Sequence, residues 1–355
     1  MIATREQTIH VGDAKEWLGR VYEGDGRELA AMLPDGSVDA IITSPPYPQG
    51  KKKAEDQGRY RRSGTAEEQR AEIYGRGLPA HGTHWVREDR RRGFHHGEPN
   101  RKGETGLEVR IAAPDWLDWF LSFEADWRRI LKPNGNLIVN VDSCCYPTRH
   151  RHWGVFSLPE RMEQRGWCFV EAGPWVKLNG PPTSAPGRFH HSWEFWYHFA
   201  NGDKWSINLA EARTPHAKAW GPDISSQWRE RGGGRPAALP HPEGARPKDV
   251  FVCSVGGTRW GPLGGAHHAA MPLALAEWLV AWASRPGDLL FDPFLGAATT
   301  VVAAIRLGRR WLGAELTPRA ATVARRRVQL ATQGYFDEGL EPEGVEQRQL
   351  RLGRD

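Results

Sequence analysis

The sequence predicts an α/β fold built around a mostly parallel sheet. Its strands are expected from short apolar segments without polar alternation, which are typical of strands covered on both faces. Each segment ends in a turn or polar residue, and segments with helical spacing separate them, as in a parallel sheet. The predicted strands are Arg20–Glu23, Val38–Thr43, Leu137–Val141, Leu289–Phe291 and Trp311–Ala314.

The clearest helical pattern lies before the third of these strands. Its apolar members recur three or four residues apart and therefore share one helix face; they are Trp116, Phe120, Phe123, Trp127 and Ile130. Asp115 is expected to cap this helix, and Pro133 with Gly135 to end it. Further helices are predicted over Pro272–Ser284, Thr299–Leu307 and Thr317–Thr332.

Two other segments predict an antiparallel hairpin at an edge of the sheet. Aromatic residues in Ser192–Phe199 alternate with the two-residue period of a strand. Trp167–Val176 supplies the second strand of the hairpin. Packing in the core and the sheet accounts for most of the 17 tryptophans.

Composition excludes several classes of protein. The chain has 355 residues, 26% of them charged, and its mean hydropathy is −0.61. The longest apolar segment, Leu273–Ala283, is interrupted by Glu277, so no membrane span or membrane partner is expected. No signal-peptide pattern follows Met1. The four cysteines form no CxxC pair, so we expect a cytoplasmic protein without a disulfide scaffold or a metal site.

Basic residues are concentrated in residues 50–110. There they outnumber the acidic residues by the whole net charge of +5, and apolar periodicity is absent. Charge alone fits a solvated loop and a phosphate-contacting arm equally well. A second irregular region, residues 201–265, is rich in glycine, proline and arginine and is predicted to be a loop-rich insert.

The segment from Phe291 to Thr300 joins a strand to a helix through a glycine-bearing turn. Such a turn lets the backbone approach a ligand, and the free N–H groups of the new helix attract polar groups. Asp292 is placed to accept hydrogen bonds from an ammonium group. Glu315, at the end of the next strand, is placed to bind ribose hydroxyls. Taken alone, the pattern fits a structural turn and a solvated acid equally well.

A second motif, Thr-Ser-Pro-Pro-Tyr from Thr43 to Tyr47, follows the strand Val38–Thr43. Two consecutive prolines fix the backbone and leave their carbonyls free to accept hydrogen bonds. With the Ser44 hydroxyl and the Tyr47 ring, they form a site for a planar group that carries an NH2, such as a nucleobase. The alternative is a proline-terminated strand with a packing tyrosine.

This pair of motifs resembles the amino-group DNA methyltransferases, which carry an (S/T/D/N)PPY motif and an FxGxG motif. The similarity extends over Val21–Tyr47, Asp115–Ala200 and His267–Ala324. It includes the Arg-Ile-Leu-Lys-Pro-Asn-Gly segment from Arg129 and the Gly-Arg-Arg-Trp-Leu-Gly-Ala-Glu segment from Gly308. The family usually has glycine where Ala298 stands, so the extra methyl group is expected to affect donor affinity or turn geometry.

The order of the motifs resembles the beta group of this family. The resemblance implies a circularly permuted, Rossmann-like methyltransferase sheet with a recognition region between its halves. The catalytic domain is expected in three parts, residues 1–49, 113–200 and 266–333. A partly flexible basic insertion is expected at residues 50–112, the target-recognition region at residues 201–265, and a charged tail at residues 334–355.

The resemblance also implies roles for individual residues. Those expected to act on the target amine are Ser44, Pro45, Pro46 and Tyr47. Those expected to bind S-adenosylmethionine are Asp25, Thr43, His268, Asp292, Phe294, Gly296, Thr299, Thr300 and Glu315. The basic residues expected to contact DNA are Lys51, Lys52, Lys53, Arg61, Arg62, Arg91, Arg92, Lys177, Arg188, Arg229, Arg231 and Arg235. Trp175 is a candidate for the second stacking face of the base, with core packing as the alternative.

The implied reaction is methyl transfer from S-adenosylmethionine to an exocyclic amine of a base flipped from double-stranded DNA. Serine before PPY is commoner in cytosine-N4 enzymes, so N4 of cytosine is favoured over N6 of adenine. A non-catalytic nucleic-acid-binding protein on this scaffold is the third hypothesis. A cytosine-C5 enzyme is excluded because no cysteine follows a proline. A prokaryotic, nucleoid-associated monomer or homodimer is expected, with a cognate restriction endonuclease as a possible partner.

Overall fold

The computed structural model describes residues 18–49, 111–143, 151–180, 189–214, 242–255 and 271–334. Within these ranges, eight strands form one mixed sheet. They are β1 (Val21–Glu23), β2 (Val38–Thr43), β5 (Leu131–Val141), β6 (Cys168–Lys177), β7 (Trp193–Ala200), β8 (Phe251–Cys253), β9 (Leu289–Asp292) and β10 (Arg310–Glu315). Two short strands, β3 (Pro48–Gln49) and β4 (Ile111–Ala112), pair separately.

The strand order across the sheet is β1-β10-β9-β2-β5-β7-β6-β8. In this sheet of the described residues, β7 alone runs antiparallel to its neighbours. The mostly parallel α/β sheet predicted from the sequence is therefore confirmed. Because β7 is reversed, its first residues lie at the edge of the sheet where the other strands end.

Helices cover both faces of the sheet. They are α1 (Gly26–Met32), α2 (Ala113–Leu121), α3 (Glu124–Ile130), α4 (Trp153–Phe156), α5 (Leu158–Glu163), α6 (Leu209–Ala212), α7 (Leu273–Ala283), α8 (Thr299–Arg306) and α9 (Pro318–Thr332). One core lies under α1 to α5 and contains most of the aromatic residues. The other lies under α7 to α9 and is largely aliphatic.

The predicted aromatic helix is divided into α2 and α3 by a turn at Ser122 and Phe123. The Ser122 hydroxyl donates to the Trp119 carbonyl at 2.6 Å, which diverts that carbonyl from the helical pattern. All five predicted face residues are nevertheless buried. Asp115 lies in the first turn of α2, which begins at Ala113, so its assignment as the N-cap was wrong.

Pro133 and Gly135 were expected to end the helix, but they lie within β5, which begins directly after α3. The pairing of β5 with β2 has a register shift between Val38 and Ala40. A Cβ atom on Gly135 would lie 3.0 Å from the Asp39 carbonyl oxygen, so glycine lets the two strands approach here.

The predicted hairpin forms from β6 and β7, but it is not at the edge of the sheet. β7 pairs with β5, and β8 adds to the outer side of β6. β8 lies within the range predicted to be a loop-rich recognition region, so part of that range belongs to the sheet. Among the described helices, none is long and apolar enough to cross a membrane.

Candidate active site

The first and second sequence motifs meet because β2 and β9 are neighbours in the sheet. Thr43, the last residue of β2, donates its hydroxyl hydrogen to Asp292 Oδ1 at 2.6 Å. The Phe294 backbone N–H also donates to Asp292 Oδ1, at 3.1 Å. Residues 249 positions apart thus form one buried contact at the carboxyl ends of the strands, where a parallel sheet binds its ligands.

Asp292 is a buried carboxyl group that no cation of the described residues pairs with. The pKa of Asp292 is raised to about 6, chiefly by burial, and the nearby Glu315 carboxylate contributes in the same direction. Hydrogen bonds from Thr43, Phe294 and Thr300 act in the opposite direction. The site therefore holds two adjacent acidic groups and favours a positively charged ligand.

The turn after β9 is anchored to Glu315. The Gly296 N–H donates to Glu315 Oε2 at 2.9 Å, while Thr317 donates its backbone N–H and its hydroxyl to Oε1. Glu315 is therefore held in a fixed orientation rather than solvated. Ala298, the N-cap of α8, has φ +64°, a left-handed conformation that favours glycine.

The remaining predicted donor-binding residues in the described ranges lie around this turn. Thr299 and Thr300 begin α8 and are buried. The centroid of the Phe294 ring lies 5.3 Å from the centroid of the Trp119 ring and 5.0 Å from that of the Phe123 ring. Asp25 caps α1 by accepting from the Arg27 N–H and also pairs with the Arg27 guanidinium at 2.7 Å. Its position at the end of β1 matches the prediction, although its charge is already paired.

Ser44 and Tyr47 form the start of a hydrogen-bonded series. The Ser44 hydroxyl donates to the Tyr47 hydroxyl at 3.4 Å, and the Tyr47 hydroxyl donates to Glu194 Oε2 at 2.5 Å. Burial raises the pKa of Tyr47 well above its ordinary value, and the Glu194 carboxylate adds to this effect. The phenol is consequently neutral and acts as a donor to Glu194.

The two proline carbonyls of the motif differ in their environment. Trp116, on α2, donates its indole N–H to the Pro46 carbonyl at 2.7 Å. No hydrogen bond to the Pro45 carbonyl is found among the described residues. The expectation of two free carbonyls was therefore wrong for Pro46. Trp116 fixes the motif, a function that its helical spacing did not reveal.

Lys177, which was expected to contact DNA, is already paired with an acidic residue. Its ammonium group forms an ion pair with Glu194 Oε1 at 2.5 Å, and its side chain is only 10% exposed. It also lies 5.3 Å from the centroid of the Trp175 ring. Trp175 itself is buried in the core under α7 to α9, so core packing, rather than base stacking, explains that residue.

Asn140, near the end of β5, completes the surroundings of Glu194. Its amide donates to the Phe195 carbonyl at 2.9 Å and to Glu194 Oε2 at 3.4 Å. Its carbonyl oxygen is buried and has no hydrogen-bond partner among the described residues. This oxygen is therefore a second hydrogen-bond acceptor in the pocket, next to the Glu194 carboxylate.

A second acidic group near Tyr47 is already occupied. Asp142 accepts a hydrogen bond from His191 at 2.6 Å and lies 3.5 Å from the Arg151 guanidinium. Arg151 also donates to the Ser143 hydroxyl and stacks over Trp193. This cluster lies at the end of β5 and the start of β7, beside the Tyr47–Glu194 contact.

Most of the predicted DNA-binding residues cannot be placed. Eleven of them lie outside the described residues: Lys51, Lys52, Lys53, Arg61, Arg62, Arg91, Arg92, Arg188, Arg229, Arg231 and Arg235. His268, which was expected to bind the donor, also lies outside the described residues. The base of the insertion is described, because β3 and β4 pair with each other on either side of residues 50–110.

The chemistry of the residues at the strand ends fits S-adenosylmethionine. Its sulfonium and ammonium groups are positive, and Asp292 and Glu315 are adjacent acids without a cationic partner among the described residues. Its ribose hydroxyls can donate to carboxylates. The Gly296 turn, whose φ is +53°, brings backbone close to the same place.

A donor site next to a serine–proline–tyrosine acceptor motif defines a methyltransferase that acts on an amino group. The family model for N6/N4 DNA methylases matches residues 38–326. Since this range covers most of the chain, the protein belongs to that DNA methylase family.

Individual relatives agree with this assignment. The chain is 25% identical over 353 residues to the type II methyltransferase M.Cfr9I of Citrobacter freundii, covering 91% of this chain and 92% of the relative. It is 22% identical over 338 residues to M.XycI of Xanthomonas campestris pv. cyanopsidis, covering 87% of each. The PvuII DNA methyltransferase (cytosine-N4-specific) has the same fold, with a TM-score of 0.54, 18% identity, and coverage of 89% of this chain and 91% of that one.

These findings confirm the expected family and the methyltransferase sheet. The chain is a DNA methyltransferase of the N6/N4 family, with type II methyltransferases among its relatives. DNA is accordingly its substrate, and S-adenosylmethionine is the methyl donor of this class.

Proposed function

We propose that this methyltransferase modifies the N4 amine of cytosine at a specific site in double-stranded DNA, within a restriction-modification system. The observation that carries the proposal is the orientation of the Ser44 hydroxyl. Because Ser44 donates its hydrogen to Tyr47, its oxygen lone pairs remain available to accept a hydrogen bond from an amine. The Pro45 carbonyl supplies a second acceptor of the same kind.

The two acceptors explain how a poor nucleophile is activated. An exocyclic amine is conjugated with its ring, so its lone pair is not directly available. Acceptors for both of its N–H groups favour a pyramidal nitrogen, and they stabilise the positive charge that builds up there. Bound S-adenosylmethionine supplies a methyl group on a positively charged sulfur. Asp292 and Glu315 would hold the donor so that this methyl faces the amine, and positioning accounts for much of the acceleration.

The proposal requires that the target base leave the duplex. The motif lies at the carboxyl end of a buried strand, where a base stacked within a helix cannot reach it. The face of the Tyr47 ring then provides a stacking surface and a cation–π contribution. The basic residues in residues 50–110 and 201–265 are proposed to contact the DNA backbone, with a cognate endonuclease acting on the same sequence.

The preference for cytosine N4 is supported by Ser44, since serine before PPY is commoner in cytosine-N4 enzymes. The type II names of the relatives support a restriction-modification setting. The PvuII enzyme is cytosine-N4-specific by its name, but its likeness to this chain concerns the fold.

The test is to incubate the protein with S-adenosylmethionine and mixed-sequence duplex DNA, and then to identify the modified nucleoside by mass spectrometry. We expect N4-methylcytosine. Detection of N6-methyladenine instead would favour the second hypothesis, an adenine-N6 enzyme. Sequencing with modified-base detection reports the recognition site. Tyr47→Ala is expected to lose activity. Donor binding without methylation of any DNA would favour a non-catalytic binding protein.

A further inference from the structure

Glu194 lies in the active site, although the acceptor motif and the donor site do not account for it. It is the second residue of β7, the reversed strand, and its side chain is only 7% exposed. Burying a carboxylate is costly unless it is paired and hydrogen-bonded. Glu194 has Lys177 on one oxygen, and Tyr47 and Asn140 on the other. Placing a charged group at this depth indicates a role in the reaction.

We infer that Glu194 accepts, through Tyr47 and Ser44, the proton that the target amine loses on methylation. The inference rests on the proposed function, because it requires an amine bound at Ser44. The hydroxyl hydrogens are all oriented away from the amine, Ser44 toward Tyr47 and Tyr47 toward Glu194. A carboxylate ends the series because it can only accept.

The steps balance in atoms and charge. The amine nitrogen uses its lone pair to form a bond to the methyl carbon, while the carbon–sulfur bond breaks with its electrons on sulfur. The nitrogen then carries one surplus proton. That proton passes to Ser44 Oγ, the Ser44 hydroxyl proton passes to Tyr47, and the Tyr47 proton passes to Glu194 Oε2. Glu194 ends as a neutral carboxylic acid and returns the proton to solvent before the next turnover.

The same series acts before the proton is fully transferred. Hydrogen bonds in a chain polarise one another, so a negative charge at Glu194 makes the distant Ser44 oxygen a stronger acceptor. The positive charge that develops on the amine is stabilised as a result. Lys177 has a complementary role, because its ammonium pairs with Glu194 Oε1 and offsets part of the cost of burying this carboxylate.

The other titratable groups near Tyr47 are less suited to this role. Asp142 accepts from His191 and lies beside Arg151, and no hydrogen bond joins it to Tyr47 among the described residues. Asp292 accepts from Thr43 and the Phe294 N–H, on the donor side of β2. Glu194 alone of these acids accepts from the Tyr47 hydroxyl.

The test is the pH dependence of single-turnover methylation, measured with the full chain, S-adenosylmethionine and a cognate duplex between about pH 5 and 9. The variants are Glu194→Gln, Tyr47→Phe and the two combined. Glu171→Gln is the matched control, since Glu171 is an exposed acid on β6, the strand that pairs with β7. Donor affinity by calorimetry and base extrusion by 2-aminopurine fluorescence are measured on the same proteins.

At saturating donor, the wild-type rate should fall as the pH is lowered, because a protonated Glu194 cannot accept the proton. Glu194→Gln should lower the rate by about 100-fold or more and weaken this pH dependence, while any part due to Asp292 remains. Tyr47→Phe keeps the ring but breaks the series, so it should cause a similar loss, and the double variant should lose no more than either. Donor affinity and base extrusion should remain within about twofold, as a general acid–base effect predicts.

Losses that multiply in the double variant, or a pH dependence of Glu194→Gln equal to that of the wild type, would overturn the inference. Loss of donor binding or base extrusion in both single variants would show that Glu194 is only structural. If Glu194→Gln does not fold, the Tyr47→Phe variant tests the proton path by itself, because it leaves the Lys177–Glu194 ion pair intact. A wild-type protein that methylates no base contradicts the proposed function itself, whereas normal methylation with unchanged variants contradicts only the proton path.

Discussion

At the scale of single residues, the site depends on charges that folding alone does not favour. Asp292 is buried beside another acid, and Glu194 is buried in an ion pair with Lys177. Burying such groups lowers the stability of the protein, and they are kept where binding or catalysis needs them. A substitution of Asp292 tests this view.

Replacing Asp292 by asparagine should stabilise the protein and abolish tight donor binding. The amide oxygen can still accept from Thr43 and the Phe294 N–H. Since burial raises the pKa of Asp292 from 3.8 to about 6, the charged form costs stability above pH 6. The gain for Asp292→Asn should reach about 3 kcal/mol there and vanish below about pH 4.

Urea unfolding at several pH values measures this gain, and calorimetry measures the donor affinity. Asp118→Asn, on the exposed surface of α2, serves as the control and should change neither quantity. Equal stability of wild type and Asp292→Asn at pH 8 would contradict the assignment of a buried, unpaired charge.

A second substitution concerns Trp116, which fixes the Pro46 carbonyl. Trp116→Phe should reduce methylation by roughly 10- to 100-fold, because a small displacement of the motif misaligns the amine. Donor affinity should be retained. Trp127→Phe is the control, since Trp127 is equally buried but its indole N–H has no hydrogen-bond partner in the part of the chain that the structure describes. A similar loss of rate in both variants would mean that ring volume, and not the hydrogen bond, is responsible.

At the scale of elements, β7 is joined to its neighbours by buried polar contacts. His198 on β7 lies 2.9 Å from Asn136 Oδ1 on β5, and the Trp282 indole on α7 donates to the other ring nitrogen at 3.3 Å. Asn136 in turn donates to the Ser206 and Ala283 carbonyls. A neutral imidazole therefore links two strands and a helix.

His198 should make the protein less stable as the pH is lowered from about 6.5 toward 3, whereas Asp292 has the opposite effect between about pH 6 and 4. Burial lowers the pKa of His198 from 6.5 to about 3, so in this range the unfolded state binds a proton that the folded state does not. The slope from this group approaches about 1.4 kcal/mol per pH unit. In His198→Gln, urea unfolding should show a smaller slope in this range. An unchanged slope would assign the acid sensitivity to other groups.

The elements also show what could be predicted from the sequence. The buried strands were found because apolar segments without alternation occur in parallel sheets, and the site at their ends followed from this topology. The break between α2 and α3 was missed because it arises from one serine hydroxyl within an otherwise regular pattern. Trp116 and Glu194 were missed as site features, and Lys177 was expected to contact DNA rather than Glu194, because these contacts depend on which elements become neighbours.

At the scale of the whole molecule, acidic and basic residues are concentrated in different parts of the chain. The catalytic sheet holds acidic groups toward the donor, while the basic excess lies in residues 50–110. DNA affinity should therefore fall steeply with salt and donor affinity only slightly, because phosphate contacts release counterions.

Replacing Lys51, Lys52 and Lys53 by glutamine should lower the slope of log affinity against log salt by up to about three, with donor affinity unchanged. Fluorescence anisotropy with a labelled duplex and calorimetry with S-adenosylmethionine measure the two affinities. If the affinities for DNA and for S-adenosylmethionine depend equally on salt, the basic residues of this region do not contact the DNA.

The pairing of β3 with β4 has a consequence for how such a protein can diversify. Pro48 lies opposite Ile111, and Gln49 lies opposite Ala112, so residues 50–110 leave and rejoin the chain at adjacent points. Doubling or halving the length of a loop closed in this way changes its entropy cost by only about 0.6 kcal/mol. A segment inserted at this point can therefore vary in length and sequence at little cost to the sheet that carries Ser44 and Tyr47.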